Sequence, residues 1–425
     1  MSGLLIENVL SVENNCLLDV AIEGSLIKEI GNNLKGKYPH FNILNGQNNL
    51  LVPGLINCHT HAAMTLLRSY ADDLPLMTWL QEKIWPREAL LNKDDVYWGT
   101  QLALLEMIKS GTTTFADMYF FMEETAQAVQ ESGLRAVLAR GLIGTTDKTG
   151  QSLKESEVFI HTWQGKAEGR ITCFLGPHAP YTCPPDYLEK VMILADDLGV
   201  GLHIHLAETE TEVKQIKADY GCRPIELMAK IGLFERRPIL AAHCVHLSPQ
   251  EIDLLVKYQV GIAHNPESNL KLASGIAPLV ELLEKGANVG LGTDGAASNN
   301  NLDLLAEMRT CALLQKAISQ DPTVIPAQQA LKLATLGGAK ALGFKNLGAL
   351  IPGYKADLIL FDINKPHWKP LYNPVANLVY AAQASDVKTV IIDGKIVMRD
   401  GQVLTLDEEK ILFEAEKRGQ ALIRR

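Results

Sequence analysis

From residue 51 onward, short apolar runs alternate with longer stretches whose apolar residues recur at helical spacing. The runs lie at 51–58, 112–116, 135–142, 171–175, 201–205, 238–243, 260–264 and 288–292. Short continuous apolar runs suit strands covered on both faces, as in a parallel sheet. Helices are predicted between them. The stretch 94–109 carries Val96, Leu102, Leu105 and Ile108 at helical intervals. The stretch 185–198 opens on Pro185 and stops before Gly199, a proline-start and glycine-stop pattern. Ser248-Pro249-Gln250-Glu251 places a cap and an acidic residue three apart, as a helix start requires. Eight strand–helix units predict a (β/α)8 barrel.

The two ends have a different texture. Strand-like runs occupy 4–12, 17–22 and 26–30, with Gly24-Ser25 as a turn, and the Asn- and Gly-rich stretch 31–50 reads as a junction. Strands return at 356–361 and at 390–397, where Asp393-Gly394 marks a hairpin turn. A closed barrel has no edge for them to extend. The strands of the two ends are therefore expected to pair with each other. The predicted fold is α/β: a TIM barrel over 53–345 and a small β-sandwich built from 1–52 and 346–425, with a terminal helix over 407–425.

Composition narrows the function classes. The chain has 425 residues, 47% hydrophobic and 21% charged, an ordinary globular balance. A net charge of −9 without any dense Lys/Arg run argues against nucleic acid as a partner. No apolar stretch approaches the ~20 residues of a membrane span, and the first residues do not read as a secretion signal. The seven cysteines are odd in number, form no Cys-x-x-Cys pair and lie mostly in apolar runs. Free buried thiols in a reducing compartment, the cytoplasm, are expected.

The candidate chemistry sits where the strands stop. In a barrel of this kind the working groups project from the C-terminal strand ends. Of the 11 histidines, seven fall there: His59, His61, His178, His203, His205, His243 and His264. His59 and His61 are two apart on one strand, so they share a face. His203 and His205 share a face in the same way; His205, nearer the strand end, is the preferred ligand. Asp294 follows the last strand. Three imidazoles and one carboxylate make a mononuclear site for a zinc-like ion. Glu208, three residues past His205, is placed to reach a substrate atom, and His243 to hydrogen-bond water at the ion. The segment Gly290-Leu291-Gly292-Thr293-Asp294-Gly295 satisfies a dinucleotide-binding fingerprint. It follows the last strand of the series, and its aspartate would repel a pyrophosphate.

His59-Thr60-His61, His205 with Glu208, His243 and Thr293-Asp294-Gly295 together resemble the amidohydrolase superfamily. The likeness extends to Pro53-Gly54-Leu55-Ile56-Asn57 and to Gly353-Tyr354-Lys355-Ala356-Asp357-Leu358. His264-Asn265-Pro266-Glu267-Ser268-Asn269 and Thr293–Asn299 resemble the branch of 5-methylthioadenosine/S-adenosylhomocysteine deaminases. The resemblance implies one divalent metal on His59, His61, His205 and Asp294: zinc, with iron, nickel or manganese also accepted by such donors. It implies a lone metal because 171–178 holds no bridging lysine. It implies Glu208, His243 and Asp294 as catalytic groups, and a nucleoside substrate touched by Trp79, Glu88, Arg140, His178, Glu208, Asp294 and Ser298. Glu88 would take the ribose hydroxyls, Trp79 would line the 5′ substituent and Arg140 would meet the carboxylate of a homocysteine tail. Relatives use a second arginine there. No arginine lies between Arg140 and Arg170, leaving Lys148 or Lys154 as substitutes. A homo-oligomer is implied as well. Triazine amino- and chlorohydrolases share much of this pattern and form the alternative; a scaffold without activity is the remote one.

Overall fold

The computed structural model describes residues 3–236 and 238–425. Five strands precede the barrel: β1 (Leu4–Ser11), β2 (Leu17–Glu23), β3 (Leu26–Gly31), β4 (Asn42–Asn45) and β5 (Asn49–Pro53). The barrel strands are β6 (Leu55–Thr60), β7 (Thr112–Tyr119), β8 (Arg135–Leu142), β9 (Ile171–Pro177), β10 (Gly201–Leu206), β11 (Ile239–His243), β12 (Gly261–His264) and β13 (Asn288–Leu291). They are hydrogen-bonded in sequence order, each parallel to the next. Four more strands follow: β14 (Leu358–Asp362), β15 (Val387–Ile392), β16 (Lys395–Arg399) and β17 (Gln402–Val403).

The predicted first barrel strand, 51–58, is in fact two. Its front part, β5, runs in the terminal sheet between β1 and β14. Its rear part, β6, opens the barrel. Gly54 is the single residue between them, and its N–H donates to the Asp357 carbonyl at 2.8 Å. A Cβ there would stand 2.0 Å from Thr113 Oγ1, so only glycine lets the two sheets meet this closely. Hydropathy alone does not register a change of sheet inside one apolar run.

The terminal strands form one mixed sheet of nine, in the order β17-β16-β15-β14-β5-β1-β2-β3 with β4 beside β1. A bridge between Leu26 and Lys355 brings its far edge back toward β14. The sheet thus folds over its own core of Ile6, Val20, Ile22, Leu51, Leu358 and Ile391, and the expected sandwich is one continuous sheet. Asp393 (φ 53°) and Gly394 (φ 77°) make the tight turn between β15 and β16. A buried ion cluster fastens the sheet to the barrel. Arg135, the first residue of β8, donates Nε to Asp357 Oδ2 at 2.9 Å and Nη2 to Asp393 Oδ1 at 3.0 Å. Removing one partner of such a cluster costs about 3–5 kcal/mol, because a buried charge is left alone.

Inside the barrel, Ile56, Cys58, Ala116, Met118, Val137, Ala139 and Leu240 pack on Ala339, Ala341 and Leu342. These last residues close the end where the strands begin. The opposite end stays open for loops. The helices at Pro185–Leu198 and Pro249–Lys257 have the predicted ends, with Gly199 left-handed after the first and a Ser248/Glu251 capping box before the second. The terminal helix is Glu408–Arg424. No helix among the described residues is long and apolar enough to cross a membrane.

Candidate active site

Three imidazoles are each fixed through Nδ1, and the way they are fixed decides which nitrogen is free. His61 Nδ1 lies 2.6 Å from the Met118 carbonyl, and His205 Nδ1 lies 2.7 Å from the His178 carbonyl. A carbonyl only accepts, so both Nδ1 atoms carry the proton and both Nε2 atoms are lone pairs. Those two Nε2 atoms face each other at 3.3 Å. His59 Nδ1 lies 2.8 Å from His203 Nε2, while its own Nε2 is buried without a hydrogen bond among the described residues. Asp294 Oδ1 stands 3.4 Å from His59 Nε2 and 3.3 Å from His61 Nε2. Lone pairs and a carboxylate at such distances repel one another unless a cation lies between them.

The spacing fits a cation of definite size. Ligands about 2.0–2.1 Å from a tetrahedral ion are about 3.3–3.4 Å apart, which matches the three separations just given. Two overlapping triads have donor atoms within 4.8 Å of one another, His59–His61–Asp294 and His59–His205–His243, and ligands drawn from them could hold one divalent ion. The seam of the barrel brings them together. Asn57 accepts the Thr293 N–H at 3.0 Å and donates to Thr293 Oγ1 at 2.8 Å, and the Asp294 N–H donates to the His59 carbonyl at 2.9 Å. The first and last strands are thus pinned with their side chains over one centre.

The acid–base groups surround that centre. Burial works against ionised Asp294, but the imidazoles of His59 and its neighbours hold it well below the usual carboxylate range. Its Oδ2 accepts from Ser268 Oγ at 2.7 Å and Ser298 Oγ at 3.0 Å. Its backbone is left-handed, φ 61°, a conformation that costs a non-glycine residue about 1–3 kcal/mol and persists where the surroundings over-determine it. Glu208 is buried, and burial raises its carboxyl pKa above the usual value. Ser274 Oγ donates to its Oε1 at 3.2 Å. Glu212 holds the turn beneath, its two oxygens accepting the N–H groups of Ala207 and Glu208 at 2.8 and 2.9 Å. His243 lies between: Nδ1 is 2.9 Å from Asn269 Oδ1, and Nε2 is 3.8 Å from Glu208 Oε2. Burial favours neutral His243, and the carboxylates of Glu208 and Asp294 overcome it to raise its pKa.

A cavity opens over these groups. His61, His178, His205, Glu208, His243, Asp294 and Ser298 reach it, as do Trp79 and Glu88. Trp79 Nε1 is a buried donor without a partner among the described residues. Burial raises the pKa of Glu88, which lies beside Tyr119. His178 Nδ1 lies 2.9 Å from Thr182 Oγ1, and burial lowers its pKa to about 4.

Arg140 is the predicted contact that the structure does not bring in. It does not line the cavity; its guanidinium is bound by Glu155 on the helix Gln151–Trp163. Strand parity is the reason. Val137 and Ala139 face the barrel interior, whereas Ala136, Leu138 and Leu142 pack toward the helices, so Arg140 shares the outward parity. Lys148 and Lys154 are exposed and are also absent from the lining. Asn57, Asp117, Ser268, Asn269 and Ser274 were not anticipated as parts of the site. Asp117 accepts from Thr60 Oγ1 at 2.8 Å and from the Ala62 N–H at 2.7 Å, fixing the turn that carries His61, and burial lifts its pKa to about 6. Only Asn57, Ser268 and Asn269 lay in stretches the sequence had marked.

Known proteins share this architecture along the whole chain. The amidohydrolase family model matches residues 50–397. A 5-methylthioadenosine/S-adenosylhomocysteine deaminase from Syntrophomonas wolfei is 56% identical over 95% of this chain and 94% of its own. One of the same name from Moorella thermoacetica is 60% identical over 86% of each. The crystal structure of an adenosine deaminase from Xanthomonas campestris with bound zinc superposes with a TM-score of 0.94 at 35% identity, covering 100% of this chain and 99% of that one. The atrazine chlorohydrolase of Arthrobacter aurescens, at 24% identity and a TM-score of 0.91 over 98% of this chain and all of its own, shares the fold. The metal-spaced imidazoles at the strand ends and the matched span agree: this chain belongs to the amidohydrolase family.

Proposed function

We propose that the protein is a hydrolytic deaminase of adenosine-type nucleosides, with one zinc ion held by His59, His61, His205 and Asp294. The product is the inosine analogue, with release of ammonia. One observation carries the reading. A buried acid, Glu208, stands in the same cavity as three imidazole lone pairs and a carboxylate spaced for one ion. Relatives above 50% identity that are named as deaminases support the substrate class.

The carbon bearing the amine is a poor electrophile and water a poor nucleophile. A divalent ion held there would supply Lewis acidity, lowering the pKa of water to about 7. The protein side chains do the rest. Asp294, held ionised, accepts the proton of the attacking water. His243, its ring fixed by Asn269, directs Nε2 at that water. Glu208, whose burial favours the protonated form, gives its proton to the ring nitrogen beside the reacting carbon and makes that carbon attackable. Asp294 then passes that proton to the departing amine, and the hydroxyl proton of the adduct returns to Glu208 as the carbonyl forms. Glu88 accepts the ribose hydroxyls, and His178, Ser298 and Trp79 orient the nucleoside.

The test is a panel of adenosine, 5′-methylthioadenosine, S-adenosylhomocysteine and s-triazines, scored for ammonia, with metal analysis of the same protein. Release from the nucleosides with one ion per chain is expected. Turnover of triazines alone, or a protein with no affinity for divalent ions, would overturn the reading.

A further inference from the structure

Glu307 stands on the helix Leu304–Ser319, away from the strand ends and fully buried, yet it reaches two of the loops that carry the site. Its Oε1 accepts from Asn299 Nδ2 at 2.6 Å, and its Oε2 accepts the Glu267 N–H at 3.1 Å. Asn299 Nδ2 also donates to the Thr293 carbonyl at 2.8 Å, one peptide before Asp294. Ser268, next in the chain after Glu267, donates Oγ to Asp294 Oδ2 at 2.7 Å. The links close a circuit around Asp294: one arm runs through Asn299 to its backbone, the other through Glu267 and Ser268 to its carboxylate. Glu267 is fixed in turn, accepting from Thr310 Oγ1 at 2.8 Å and from Asn301 Nδ2 at 3.1 Å. The left-handed backbone of Asp294, φ 61°, is a conformation that needs such bracing. Burial disfavours charge on Glu307, and the neighbouring Glu267 adds to that penalty. An apolar side chain of like volume would avoid it. What Glu307 supplies instead is a pair of acceptor oxygens on a helix, aimed at two loops that must keep one register.

Resting on the ion site and the reaction proposed above, we infer that Glu307 is a positioning residue: through Asn299 and Glu267 it sets where the Asp294 carboxylate stands, and so governs both ion affinity and proton transfer at that carboxylate. Glu307, Asn299 and Glu267 do not line the cavity. Their effect on the reaction therefore passes through Asp294, and it should appear in ion binding as well as in turnover.

The experiment measures zinc affinity by competition with a chromophoric chelator, melting of the stripped protein, and kcat at saturating zinc. Glu307→Ala breaks the circuit at the helix, and Asn299→Ala breaks it at the loop. Each is expected to weaken zinc binding about tenfold or more, the scale for groups that orient a ligand. Each should also lower kcat of the fully loaded enzyme about tenfold or more, since a misplacement of about 1 Å can cost about 10²-fold. Glu307→Gln keeps one acceptor oxygen and should recover part of both losses. A residue that only packs would lower the melting temperature of the stripped protein and leave zinc affinity and loaded kcat at native values. Native affinity together with native kcat in either folded alanine variant would overturn the inference. A native protein that binds no zinc, or that releases no ammonia from adenosine-type nucleosides, would instead refute the proposed function, and the inference with it.

Discussion

Asp294 and His59 are joined twice. The Asp294 N–H donates to the His59 carbonyl at 2.9 Å, and the Asp294 carboxylate stands 3.4 Å from His59 Nε2. The first contact closes the barrel between its first and last strands; the second is part of the proposed ion site. An ion at that point binds the folded state and not the unfolded chain. At a free concentration a thousand times its Kd, such a ligand stabilises by about 4 kcal/mol. Stripping the protein with a chelator is therefore expected to lower its melting temperature by several degrees, and adding zinc back should restore it. Identical melting curves for stripped and loaded protein would deny the site.

Glu208 offers a sharper separation of roles. It is not among the proposed ligands, so Glu208→Gln should retain a full complement of ion. It loses the proton that activates the ring, a contribution of typically 10²–10⁴ in rate, and kcat should fall by about that factor. Full turnover in this variant, measured with the metal content of the same sample, would remove Glu208 from the mechanism.

His203 is predicted to matter for the ion without touching it. Its Nε2 lies 2.8 Å from His59 Nδ1, deep in the barrel. Partners of this kind fix the ring and tautomer of a ligand, and losing one weakens metal affinity by about 10–100-fold. His203→Phe keeps the ring volume and removes the hydrogen bond. Competition with a chromophoric chelator should show that loss; an unchanged affinity would make His203 a packing residue only.

Glu212 predicts a pH dependence of stability. Burial lifts its carboxyl to about 7 although two backbone N–H groups favour the ionised form. The folded chain therefore keeps a proton that the unfolded chain gives up at its ordinary value of 4.5. The folded state binds more protons across that window, so this group's contribution to stability falls as pH rises through it. Urea melts at about pH 5 and about pH 7 should show a steeper decline for the native protein than for Glu212→Gln. Parallel declines would mean that Glu212 ionises freely.

The sequence was legible where chemistry is local. The pair His59 and His61, the strand-end histidines and the β/α alternation are short-range patterns, and each has its counterpart in the structure. The partners that fix them were not legible, because they are made by closure. Asn57 and Thr293 are 236 residues apart, and Ser274 and Glu208 are 66 apart. No periodicity links such positions. Arg140 shows a different failure. It stands at the end of a barrel strand, as sought, but on the outward parity, where the helix carrying Glu155 meets it. Val137, Leu138 and Ala139 are all apolar and buried, so hydropathy along this strand does not distinguish its inward from its outward parity.

Gly54 leaves a single residue between a strand of the outer sheet and the strand that carries His59. Pull on one and the other must follow, since a lone peptide step offers no slack to absorb a shift. The outlying body built from both termini is therefore no detachable ornament but a rigid anchor for the histidine-bearing strand. An excised barrel beginning near residue 55 is expected to lose its ion, even though every donor remains within the fragment.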